Sequence, residues 1–77
     1  MKMYQAHSGN IGRIGWEFDK ETNQGVLRVE FNSGRTYEYF PVPKHLWDEY
    51  WSAKSKGSWF HHNIKTNKNI SYEEVED

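Results

Sequence analysis

Apolar and polar positions alternate through three stretches between residues 11 and 40. In 11–18, Ile14, Trp16 and Phe18 alternate with polar or small neighbours, which is the two-residue period of a strand. A polar connection follows at 19–25. Residues 26–31 then alternate again, with Leu27, Val29 and Phe31 on one face and Arg28 and Glu30 on the other. Asn32-Ser33-Gly34 is turn chemistry, and 35–40 reads as a third strand. A three-residue loop with Gly34 in the left-handed position pairs Phe31 with Arg35, Val29 with Tyr37 and Leu27 with Tyr39. Arg28 then faces Glu38, an attractive cross-strand pair. A two-residue loop would set the Glu38 carboxylate against Val29, so the three-residue loop is preferred. It places Tyr37 and Tyr39 on the face of Leu27, Val29 and Phe31.

The period changes after Pro41-Val42-Pro43, where proline ends the strand and Pro43 suits a first helical turn. Leu46, Trp47, Tyr50, Trp51 and Ala53 form a helical stripe, which predicts a helix over about 43–56. Gly57 reads as its stop, with Lys54 and Lys56 complementing the dipole. Ser58 reads as the N-cap of a second, short helix over about 59–65, with Phe60 and Ile64 on one side. Residues 66–69 are loop. Ile70, Tyr72 and Val75 suggest either a short strand or a loosely docked segment, and 73–77 is expected to fray. The predicted fold is α+β, a single domain over 1–77: a three-stranded antiparallel meander packed against one long and one short C-terminal helix.

Composition narrows the reading. Without cysteine, neither disulfides nor thiolate metal sites can staple a 77-residue chain. The 13 aromatic residues are the substitute, each burying roughly 150–250 Å². No apolar run approaches the roughly 20 residues that span a bilayer, and the first residues lack the apolar stretch of a signal peptide. These features predict a cytoplasmic protein (the host cytoplasm if phage-encoded) with no membrane partner. Ten basic against eleven acidic side chains argue against a tight, non-specific nucleic-acid binder. The charges are uneven, however. Four of the acids lie in the last five residues, whereas Lys54 to Lys68 holds four lysines, two histidines and no acid.

The ordered set Ser8, Asn10-Ile11, Ile14-Gly15-Trp16, Leu27-Arg28-Val29-Glu30-Phe31, Ser33-Gly34, Tyr37-Glu38-Tyr39, Val42-Pro43, then Ala53 to Phe60 and Ile64-Lys65, resembles the KTSC domain family over about residues 6–65. Tyr37-Glu38-Tyr39 matches that family's Tyr-x-Tyr signature. The chain departs from the pattern at His61, where the family tends to have Asn, and at Lys68, where a Tyr often stands. The family takes its name from an extension of some lysyl-tRNA synthetases. The resemblance implies a small domain for which nucleic-acid binding has been suggested.

Candidate chemistry centres on 55–65. Ser55, Lys56, Gly57 and Ser58 offer hydroxyls, backbone amides and an ammonium to a phosphate, or serve as ordinary helix caps. The spacing is not that of a P-loop. Arg35, Lys54, Lys56, Lys65 and Lys68 would neutralise phosphate, and Trp59 or Tyr37 would stack on a base. Tyr37 and Tyr39 form either a stacking platform or a cover for the core. Trp47, Trp51 and Trp59 read as core or as an interaction patch. His61 and His62 project about 100° apart on a helix and cannot chelate one metal as an i, i+4 pair does. No nucleotide fingerprint, paired acids or nucleophile–base order is evident. The sequence thus predicts a non-catalytic binding module without metal or cofactor, with RNA or a nucleotide as partner. A protein-interaction module is the alternative, and oligomeric state is left open.

Overall fold

The computed structural model describes residues 1–76. Five strands and two helices follow one another as β1 (Tyr4–Gln5), β2 (Ile11–Asp19), β3 (Gln24–Phe31), β4 (Thr36–Phe40), α1 (Lys44–Ser52), α2 (Lys56–Phe60) and β5 (Ser71–Val75). A π-helical turn, His61–Lys65, continues α2. The strands form one antiparallel sheet in the order β1-β2-β3-β4-β5. The expected three-stranded meander is its centre, and the two edges correct it. β1 pairs Tyr4 with Ile14, and β5 pairs Tyr39 with Tyr72. The segment expected to fray from residue 73 is paired through Val75, while Asp77 lies outside the described residues.

The β3–β4 register is the one that side-chain matching predicts: Leu27 faces Tyr39, Val29 faces Tyr37 and Arg28 faces Glu38. Gly34 takes φ +98°, and its amide donates to the Phe31 carbonyl at 2.9 Å. On the outer face, Arg28 Nε donates to Glu38 Oε2 at 2.9 Å, and Arg13 forks onto both oxygens of Glu30. β2 needs one more device. Ile11 and Ile14 are three residues apart, so a regular strand would point them to opposite faces. A register shift between Ile11 and Arg13 absorbs Gly12 as a bulge, and both isoleucines are buried.

The core lies between the sheet and the helices. Leu27, Val29 and Tyr39 from the sheet meet Tyr50, Phe60 and Ile64 from the helical segment. The Tyr50 hydroxyl donates to the Ala6 carbonyl at 2.7 Å and ties α1 to the N-terminal segment. At the other end, the Trp16 indole donates to the Val42 carbonyl and the Val42 amide donates to the Gly25 carbonyl, both at 2.8 Å. A β-carbon on Gly25 would collide with that same Val42 carbonyl, so this position requires glycine.

The helix boundaries differ from the sequence reading. α1 stops at Ser52, because Ala53 is extended with ψ 138°. Ser55, not Ser58, is the N-cap of α2: its hydroxyl accepts from the Ser58 amide at 3.4 Å. The break thus covers residues 53–55, ahead of Gly57, and the Ser55 cap starts the second helix there. Gly57 therefore lies inside α2 and is not a helix stop. Its small size serves close approach, since a β-carbon there would sit 3.1 Å from Ser8 Oγ. Lys56 Nζ donates to the Ala53 carbonyl at 3.0 Å, occupying a group left open at the end of α1.

Candidate functional site

The alternation of β4 and β5 sets the site. Tyr37 and Tyr39 point to the helix side of the sheet, and their cross-strand partners there are Glu74 and Tyr72. From the opposite direction, the π turn brings Lys65 to the same place. The amide of Thr66 reaches back five residues to the His61 carbonyl at 3.1 Å, which widens this last turn. Ile64 remains in the core while Lys65 is exposed. Between these elements lies a groove of about 400 Å³, lined by Asn10, Phe31, Tyr37, Tyr39, Lys65 and Tyr72.

Its rings differ in depth. Tyr39 is the floor, 5% exposed, in an edge contact with Phe60 at 5.3 Å between ring centroids. Burial, and then the neighbouring Tyr37 and Tyr72 phenols, push its hydroxyl up to about 12, so it stays protonated at neutral pH. Tyr37 is half-buried and meets Phe31 edge-on at 5.9 Å. Tyr72 is the outer wall, 65% exposed, with its ring 6.0 Å from both Tyr37 and Tyr39. Among the described residues, Lys65 has no ion-pair partner.

Arg35 stands beside Tyr37. A hydrogen bond to the Tyr37 side chain and the charge of Glu74 raise its pKa further. Its guanidinium lies 3.8 Å from a Glu74 carboxylate oxygen, so β5 already supplies it with a counter-charge. Of the residues singled out in the sequence, the groove thus unites Tyr37, Tyr39 and Lys65, with Arg35 next to it. Ser55, Lys56, Gly57 and Ser58 do not line it. They are the start of α2, one side of which abuts the 8–10 loop: the β-carbon position of Gly57 is 3.7 Å from Asn10 Oδ1. Trp59 packs at 6.0 Å against Tyr50 and does not line the groove. Asn10, Phe31 and Tyr72 complete the lining without having been singled out as site residues. Asn10 belongs to a loop, so no periodicity points to it. Tyr72 shares the parity of Glu74 in 71–75, but only the pairing of β5 reveals what that parity faces.

A second, shallower concavity of about 320 Å³ lies at the opposite sheet edge, lined by Tyr4, Trp47 and Trp51. Trp47 and Trp51 are T-shaped at 5.3 Å, and Tyr4 is 6.2 Å from each. Among the described residues, no helix is long and apolar enough to cross a membrane.

A family model, the KTSC domain, matches residues 7–67. The chain belongs to the KTSC domain family. Within it, this KTSC domain is similar to segments of much longer proteins. A lysine–tRNA ligase of Trichormus variabilis is 45% identical over 49 residues, covering 64% of this chain and 9% of the ligase. One from a Nostoc species is 47% identical over 45 residues, covering 58% and 8%. One from Nostoc punctiforme is 39% identical over 54 residues, covering 70% and 10%. The chain spans about a tenth of the length of these curated relatives. β5, which provides Tyr72 and Glu74, lies beyond the stretch that the family model matches.

Proposed function

We propose that this KTSC domain is a non-catalytic binding module for RNA or another phosphate-bearing nucleic acid or nucleotide, and that the tyrosine groove is its site. The observation that carries this reading is the joint placement of exposed aromatic surface, from Tyr37 and Tyr72, and an unpaired cation, Lys65, on the walls of one groove. Bases stack on aromatic faces, and phosphates seek cations. The similarity to segments of enzymes named for tRNA supports the same class of ligand. A non-catalytic role is supported by the chemistry of the lining: phenols, a phenyl ring, a carboxamide and an ammonium, with Tyr39 far from titrating at neutral pH. The test is titration with a fluorescently labelled oligoribonucleotide at two salt concentrations. Binding that weakens with salt and with Lys65→Glu is expected. No binding, or affinity indifferent to that charge reversal, refutes the reading.

The alternative is a protein-interaction module, favoured by the Tyr4, Trp47 and Trp51 concavity, since Trp and Tyr are enriched where proteins meet. Under this reading one stoichiometric protein partner is retained after nuclease treatment and lost on Trp51→Ala.

A further inference from the structure

The groove is lined by four rings and one cation, and its second nearby cation is already occupied. That proportion decides between ligands. A duplex keeps its bases stacked inside and binds through several phosphates at once, which demands several unpaired cations. Among the described residues, Lys65 is the one cation that lines the groove, while Arg35 is 3.8 Å from Glu74. An unpaired nucleotide presents the complementary surface: one aromatic face for the rings and one phosphodiester for the lysine. Both features that tip the balance come from β5. Tyr72 adds the most exposed ring, and Glu74, directly opposite Tyr37, supplies the carboxylate that cancels Arg35.

We infer that β5 sets the ligand class of the groove: it selects a single unpaired nucleotide within a single strand, held by stacking on Tyr72 and Tyr37, over a duplex held by phosphate contacts. This rests on the reading of the groove as a nucleic-acid site. Glu74 acts here as a local counter-charge, because its carboxylate beside Arg35 weakens the pull of that guanidinium on a phosphate. The strand that supplies both Tyr72 and Glu74 lies outside the family-matched stretch.

The experiment compares the full chain with a labelled single-stranded oligouridylate and with an RNA duplex of the same length over a range of salt. The single strand is expected to bind at least about tenfold more tightly. The slope of log affinity against log salt is expected to be about −0.7, the value for one phosphate on a single strand. Tyr72→Ala weakens single-strand binding at least about fivefold, the lower end of one lost stack, and Tyr72→Phe restores it. Glu74→Gln tightens binding and steepens the slope by about a further 0.7, and does neither when Arg35→Gln is also present. If the duplex binds as well as the single strand, or the wild-type slope is steep, or Tyr72→Ala and Glu74→Gln change nothing, the inference falls while the nucleic-acid reading stands. If no oligomer binds any variant, both fall.

Discussion

Tyr39 and Tyr72 face each other across β4 and β5 with ring centroids 6.0 Å apart, one at 5% and the other at 65% exposure. The pair joins the core to the groove wall, so a change at either position is read in a different quantity. Tyr39→Ala opens a cavity in the core and is expected to cost about 3–5 kcal/mol, whereas Tyr39→Phe keeps the ring and most of the stability. Urea unfolding of the two variants separates these outcomes. A Tyr39→Ala domain as stable as the wild type would show that Tyr39 is not part of the core.

Alkali should unfold the domain by a route that two buried phenols dictate. Tyr39 and Tyr50 are both pushed up to about 12 by burial, against an unperturbed value near 10. Over that interval the unfolded chain has released protons that the folded chain retains. Stability is therefore complete below about pH 10 and falls as pH rises through about 12. Thermal melts across this range, with phenolate absorbance followed in parallel, measure the effect. Tyr50→Phe removes one of the two titrations and makes the fall shallower. It also leaves the Ala6 carbonyl without its hydroxyl partner, at a cost of about 1–3 kcal/mol at neutral pH.

The central hairpin was legible because charge and apolar character agree on one register: a one-residue slip would have put Glu38 opposite Val29, among apolar side chains. The edge strands were less so. β1 is two residues long and shows no period, and in 71–75 adjacent glutamates mask the alternation, so a short strand was only one of two readings there. The helix junction misled for another reason. Glycine after a helix suggests a stop, yet Gly57 is small to let Ser8 approach, and that contact spans 49 positions of sequence. The groove inherits both gaps, since Tyr72 comes from β5 and Asn10 from the loop that meets α2. Tyr37, Tyr39 and Lys65 could be singled out locally, but nothing local shows that they meet.

Gly25 and Gly9 make a controlled pair. A β-carbon on Gly25 meets the Val42 carbonyl and the Trp16 indole, whereas one on Gly9 meets nothing within 4 Å. Backbone cannot yield as a flexible side chain does. Gly25→Ala is expected to destabilise by about 3 kcal/mol or more and to shift the Trp16 fluorescence, and Gly9→Ala to change stability by less than about 0.5 kcal/mol. Denaturant midpoints for the two decide whether the Val42 connection is fixed on the sheet as described.

The cap of α2 discriminates between sequence and structure directly. If Ser58 began this helix, Ser58→Ala would be the damaging change. With the Ser55 hydroxyl accepting from the Ser58 amide, Ser55→Ala is expected to cost about 0.5–1 kcal/mol and Ser58→Ala much less. Ser55→Asp should conserve stability, because a carboxylate also caps. Thermal unfolding of the three variants gives the order, and the reverse order would move the start of α2 to Ser58.

The outer face of β5 offers a test that a frayed tail could not pass. Glu73 lies directly opposite Glu38, placing two carboxylates side by side across the strands, while Glu38 is already engaged with Arg28. Like charges in that position oppose pairing by a few tenths of a kcal/mol. Glu73→Lys is therefore expected to raise the melting temperature, with a gain that shrinks at high salt as the Debye length shortens. In a chain that also carries Glu38→Gln, most of the gain should vanish, because the new lysine then has no carboxylate opposite it. A solvated tail would give no change in either background, so a null result for both would unpair β5 from β4 and remove the outer wall of the groove with it.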